Sequence, residues 1–132
     1  MVISEAMVGR YKAGGPEAEF EPGSRSRVLR NRVGATSVRE IERKESEALL
    51  TATQQTIDET RVDQRFTADD IRRMHKRWLG EIYVWAGEYR QVNISKGEFM
   101  FSAANQVPKL MKEFERGPLR KYTPCQFDAI LE

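Results

Sequence analysis

The sequence is poor in the residue types that carry most enzyme chemistry. Its 132 residues include one histidine, His75, and one cysteine, Cys125. A single cysteine excludes an internal disulfide framework, which suits a reducing compartment. One histidine and one cysteine cannot build a Cys/His zinc site, and a two-histidine zinc motif is impossible. A catalytic histidine, if the chain has one, is His75. No apolar run exceeds five residues, far short of a membrane span. Residues 1–10 have neither a basic n-region nor an apolar stretch of signal-peptide length. A cytoplasmic protein is expected, or one exported by a route that leaves no such signal. A charge excess is missing too: 22 Lys+Arg against 20 Asp+Glu leaves +2, which gives no bulk electrostatic argument for a nucleic-acid partner.

What is present is material for one domain, with 39% hydrophobic and 32% charged residues. Residues 1–30 read as an N-terminal arm, because Gly14, Gly15, Pro16, Pro22, Gly23 and Ser24 break any helical period. Tyr11 and Phe20 are aromatic and predict that the arm docks. Arg25, Arg27, Arg30 and Arg32 form a basic cluster. No aromatic platform interleaves with it, so a solvated face is preferred to a nucleic-acid adaptor surface.

Helix signals begin at Ser37-Val38-Arg39-Glu40, a capping box in which hydroxyl and carboxylate each accept from a first-turn amide. Val38, Ile41, Ala48, Leu49 and Ala52 then fall near one face, interrupted by Glu45, which receives no role. A second helix is predicted from Thr67-Ala68-Asp69-Asp70, with acidic residues at the positive end of the helix dipole. Ile71, Met74, Trp78 and Leu79 make its core-facing stripe, and Gly80 its stop. His75 lies on this helix with Ile71, Arg72, Trp78 and Leu79 at the helical neighbour positions. None of these is an acid or nucleophile that would orient it, so a structural histidine is expected.

After Trp85-Ala86-Gly87 the period changes to two. Arg90, Val92 and Ile94 alternate with Tyr89, Gln91 and Asn93, then come Ser95-Lys96-Gly97-Glu98 and Phe99-Met100-Phe101. A strand over 88–94, a turn and a second apolar strand predict a β-hairpin over 88–102. Two strands alone are marginal, so the hairpin must lie on helices or take a partner strand. Lys96 and Gly97 at the tip offer a cation and an amide to a phosphate or a peptide, although an ordinary solvated turn is the simpler reading. A third helix is predicted over 102–116, with Val107, Leu110, Met111 and Phe114 at strict helical spacing and Gly117-Pro118 as terminator. Thr123-Pro124-Cys125-Gln126 predicts a fourth, with Phe127, Ile130 and Leu131 opening its apolar stripe before Glu132. A helix of about two turns, facing a core of three others, suggests a chain cut short of its domain.

From Ile71 to Phe114 the chain resembles the Fic (Fido-domain) family. The run Met74-His75-Lys76-Arg77-Trp78-Leu79-Gly80-Glu81-Ile82-Tyr83-Val84-Trp85-Ala86-Gly87-Glu88-Tyr89-Arg90 is similar to the family's helix and Tyr-Pro-Trp-Ala-Gly turn. Val92-Asn93-Ile94-Ser95-Lys96-Gly97-Glu98-Phe99-Met100-Phe101 resembles its flap hairpin. The lead-in from Val28 to Gly34 is similar as well, and Val84 stands where the family usually has proline. The resemblance implies a mainly α-helical, Fic-like domain with one β-hairpin flap, of which residues 31–132 are the N-terminal, incomplete part. It also implies transfer of AMP from ATP to a protein hydroxyl, with ATP and Mg²⁺ as the intact family's cofactors.

The family signature His-Pro-Phe-x-(Asp/Glu)-Gly-Asn-Gly-Arg does not occur, since the chain has no Gly-x-Gly and Lys76 follows its histidine. No catalytic or metal residue is therefore assigned, and the chain alone is expected to be inactive and to bind ATP and Mg²⁺ poorly. In the family the flap lies over the nucleotide and pairs with a target segment. Carried over by position, Ser95, Lys96 and Gly97 match the nucleotide-proximal tip. Arg90, Gln91, Val92, Asn93, Ile94, Phe99, Met100 and Phe101 would provide the target-docking edge. Thr36-Ser37-Val38-Arg39-Glu40 matches part of the family's inhibitory motif, but Ile41 follows where Gly or Asn is expected. Capping explains Glu40, so inhibition is expected from a separate small antitoxin, if at all. A degenerate peptide-binding module using the hairpin edge is the alternative reading, with the arginine-cluster nucleic-acid adaptor after it.

Overall fold

The computed structural model describes residues 16–125, which form a mainly α-helical unit with one small hairpin. Helix α1 spans Val38–Glu59 and α2 spans Ala68–Leu79. Strands β1 (Ser95–Lys96) and β2 (Phe99–Met100) pair antiparallel, and helix α3 (Val107–Phe114) follows a 3₁₀ turn at Ala104–Gln106. No helix among the described residues is long and apolar enough to cross a membrane.

Both predicted helix starts are present. Ser37 caps α1, its hydroxyl accepting from the Glu40 amide at 3.2 Å. At α2 the box is complete. Thr67 Oγ1 accepts from the Asp70 amide at 3.1 Å, and Asp70 Oδ2 accepts from the Thr67 amide at 2.9 Å. Burial pulls the Asp70 carboxyl upward, but its bonds from Arg73 and Thr67 outweigh this and hold it below its ordinary value. Replacing a threonine cap by alanine costs about 1 kcal/mol. Thr67→Ala is therefore expected to lower the melting temperature by about 3–6 °C, read by circular dichroism.

The core gathers Ile41 of α1, Leu79 of α2, the turn residues Ile82, Tyr83 and Ala86, and Val28, Leu29 and Ala35 from before α1. Residues 20–35 reach it through three devices. Phe20 and Leu29 form an antiparallel bridge, so Phe20 docks as its aromatic character predicts. Tyr11, its companion in that expectation, lies outside the described residues. Asn31 then ties the following turn: its Oδ1 accepts from the Ala35 amide at 2.9 Å and its Nδ2 donates to Leu29 and Ala35 carbonyls. Arg32 fastens this segment to the end of α2, its amide donating to Ile82 O at 2.8 Å and its guanidinium to Gly80 O at 3.0 Å.

Three expectations need correction. The strand predicted over 88–94 is irregular chain, and pairing is confined to Ser95–Met100 and Lys96–Phe99, extended by the Phe101 amide donating to Ile94 O at 3.2 Å. The backbone of 88–94 is taken by side chains instead, as described below. The loop consists of Gly97 and Glu98, with Gly97 at φ +60°, the position that a two-residue hairpin reserves for glycine. Gly117-Pro118 does not terminate the third helix. The helix widens into a π-helical turn at Glu115–Leu119 and ends after Arg120–Tyr122. Pro118 has no N–H and its ring clashes with the carbonyl four residues back, so a wider turn accommodates it within a continuing helix. Pro124 and Cys125 are not helical, and the Thr123 hydroxyl accepts from the Phe66 amide at 3.1 Å and donates to Leu119 O. The rest of that helix, with Phe127, Ile130 and Leu131, lies outside the described residues.

Candidate functional site

The sequence runs from α2 through a tight turn into the hairpin, and the turn is held by backbone and side-chain bonds. Ile82 and Tyr83 amides return to Leu79 O at 3.0 and 2.8 Å, and the Glu88 amide donates to Trp85 O at 3.1 Å. Tyr83 is fully buried and stacks on Trp85 with ring centroids 4.5 Å apart. Its hydroxyl donates to Glu45 Oε1 at 2.6 Å, while Trp78 Nε1 donates to Glu45 O at 2.8 Å. Burial pushes the Tyr83 phenol up to about 12, so it stays a donor throughout the ordinary pH range. Glu45, given no role from the sequence, thus joins α1 to both aromatic anchors of this turn. The signal was its place in the middle of an apolar stripe, since a half-buried carboxylate there must find a donor. Val84, in the position of the family's proline, is exposed and leaves the turn intact.

Gly87 ends the turn at φ +84°, a conformation that favours glycine. Helix α2 holds it on both sides. Its N–H donates to His75 Nδ1 at 2.8 Å, and its carbonyl accepts from Arg72 Nε at 2.9 Å. Because Nδ1 accepts, the neutral ring carries its proton on Nε2. Burial lowers the His75 pKa, in keeping with a neutral ring. The His75 ring also lies 6.0 Å from Trp85 and 6.2 Å, edge to face, from Trp78. Arg72 continues outward, pairing with Glu88 at 3.1 Å and lying over the Tyr89 ring at 4.7 Å.

The hairpin hangs from this root. Arg90 donates to Val92 O at 2.8 Å and to Ser102 O, closing the base of the loop. The Gln91 amide donates to buried Glu17, and Asn93 Oδ1 accepts from the Ala104 amide at 2.7 Å. Val92 and Ser95 are buried, whereas Lys96 and Gly97 are exposed at the tip. Residues 90–94 therefore present no continuous pairing edge, since Glu17, Arg90 and Phe101 already engage Gln91 N, Val92 O and Ile94 O. The second strand differs. Phe99 and Phe101 are 64% and 41% exposed, and their rings meet edge to face at 5.0 Å on one side of the strand. Met100 lies beside them, also exposed.

The basic cluster is divided. Arg30 pairs with Glu19 at 3.0 Å and Arg32 holds Gly80 O, while Arg25 and Arg27 are exposed. Among the described residues no three acidic, histidine or cysteine side chains are grouped to hold a metal ion.

Residues 65–127, which contain α2, the turn, the hairpin and α3, match the model of the Fic/DOC family. Just under half of the chain is thus similar to that family. The matched segment begins two residues before the α2 cap and contains the whole clamped turn. The chain is also similar to the protein adenylyltransferase VbhT of Bartonella schoenbuchensis, with 28% identity over 93 residues. That likeness takes in 67% of this chain and 19% of VbhT, so the chain spans about a fifth of that relative's length.

Proposed function

We propose that this chain serves protein adenylylation, the transfer of AMP from ATP to a protein hydroxyl, and that its hairpin is the strand on which the target docks. The observation that carries this reading is the exposed strand Phe99–Met100, projected on a root fixed to α2 from both sides. An extended target segment would add to this strand through backbone bonds, with Phe99 and Phe101 gripping alternate side chains. Ser95, Lys96 and Gly97 would lie toward the nucleotide, Lys96 and the Gly97 amide meeting its phosphates. The similarity to a protein adenylyltransferase supports the transferred group.

In this reading the 132 residues supply docking and positioning, not the general base. Their one histidine has its acceptor nitrogen occupied by Gly87. Incubation of the chain with labelled ATP and a cell extract is expected to leave proteins unlabelled. Robust AMP transfer by the chain alone would overturn that division of labour. A pool of randomised extended peptides containing Ser, Thr and Tyr, at millimolar concentration, is expected to slow amide exchange at residues 98–102. Unchanged exchange there would remove the docking role.

A further inference from the structure

His75 belongs to no catalytic arrangement, yet it holds the residue from which the hairpin departs. The Gly87 N–H can only donate, so Nδ1 must keep its lone pair for the 2.8 Å bond to exist. We propose that His75 is a proton-operated latch on the hairpin root: the neutral ring holds Gly87 and fixes the direction of the hairpin, and the protonated ring releases it. This rests on reading the hairpin as the docking strand for its functional weight, but not for its physics.

The surroundings set the direction of the effect. On α2, Arg72 already bonds Gly87 O from the other side, and Lys76 packs against the same glycine. From the turn, Glu88 is paired to Arg72. From α1, Glu45 is bonded to Tyr83, whose ring stacks on Trp85 beside the imidazole. Both carboxylates thus have donors other than His75, and two cations flank the glycine that it holds. Burial, which lowers the His75 pKa, acts in the same sense. The unfolded chain therefore takes up the proton first. The latch's contribution to stability is complete above the ordinary histidine value of 6.5 and is lost as pH falls below it.

Because the chain has one histidine, its ring nitrogens can be followed without ambiguity. Ring ¹⁵N shifts and amide exchange, corrected for intrinsic rates, would be recorded on the full chain from pH 8 to pH 5. At pH 8, Nδ1 is expected unprotonated and Nε2 protonated. On acidification, the Gly87 amide and the Phe101 amide of the hairpin are expected to lose protection by about threefold to tenfold, the weight of one hydrogen bond, along the ring's own titration. His75→Asn places an amide oxygen where Nδ1 stood and cannot titrate, so its protection should be retained and independent of pH. His75→Phe should lack it at every pH.

Unchanged Gly87 protection through the ring titration would overturn the latch. So would the same pH dependence persisting in His75→Asn. If that variant does not fold, the wild-type titration decides alone. Failure of peptides to dock would leave this result standing, and failure of the latch would leave docking standing.

Discussion

Gly87→Ala is expected to destabilise the chain by about 3 kcal/mol, the sum of two penalties that cannot be relieved together. The first is conformational: at φ +84° an L-residue costs about 1–2 kcal/mol. The second is steric. A Cβ at this position would stand 2.8 Å from Lys76 Cβ and 3.2 Å from Arg72 O. Neither is the loose end of a flexible side chain, so α2 and the turn must separate, and overpacking of this kind costs about 1–3 kcal/mol. Separation would also stretch the bonds from His75 and Arg72. Gly97→Ala is the natural control, because Gly97 is at φ +60° with nothing within 4 Å of an added Cβ. It should show the conformational cost alone, about 1–2 kcal/mol. Urea unfolding of both variants separates the two contributions, and equal losses would refute the close approach at Gly87.

The second large effect concerns residues ahead of the first long helix. Leu29 is fully buried and packs in the same cluster as Ile41, Leu79 and Tyr83. Leu29→Ala is expected to cost about 2–5 kcal/mol, transfer plus the cavity left behind. Arg27→Ala, two residues away and exposed, should change stability by less than about 0.5 kcal/mol. Denaturant midpoints measure both. A Leu29→Ala midpoint near that of Arg27→Ala would mean that the segment 20–35 does not contribute to the cooperative unit.

The parts of the fold that were legible in the sequence are those decided within one helical turn or one loop. Ser37 and Thr67 announce their helices because a cap bonds to an amide three residues away, and α2 shows its stripe because its periodicity is local. The place of His75 on α2 was legible, although its partner was not. Gly87 lies twelve residues on, brought back by the turn. What sequence reasoning missed was decided at a distance. Residues 88–94 alternate as a strand should, yet Glu17 takes the Gln91 amide and Arg90 bridges Val92 to Ser102. Alternation reports which side chains face inward and says nothing of which groups claim the backbone. The Glu45–Tyr83 bond joins two elements, and Glu45 by itself reads only as an interruption. Gly117-Pro118 has the composition of a stop, but the π-helical turn evades the clash on which that expectation rests.

The Gly87 clamp divides the matched segment into a part that bears load and a part that does not. Burial in this stretch reaches Ser95 and stops, and residues 96–103 are exposed. Folding free energy is thus vested in the helices and the turn, while the blade of the hairpin contributes little to it. Substitutions in the blade therefore have little bearing on whether the chain folds. Such a division lets the hairpin blade vary without renegotiating the scaffold. It also marks residues 96–101, with Gly97 kept for the turn, as a cassette that can be rewritten.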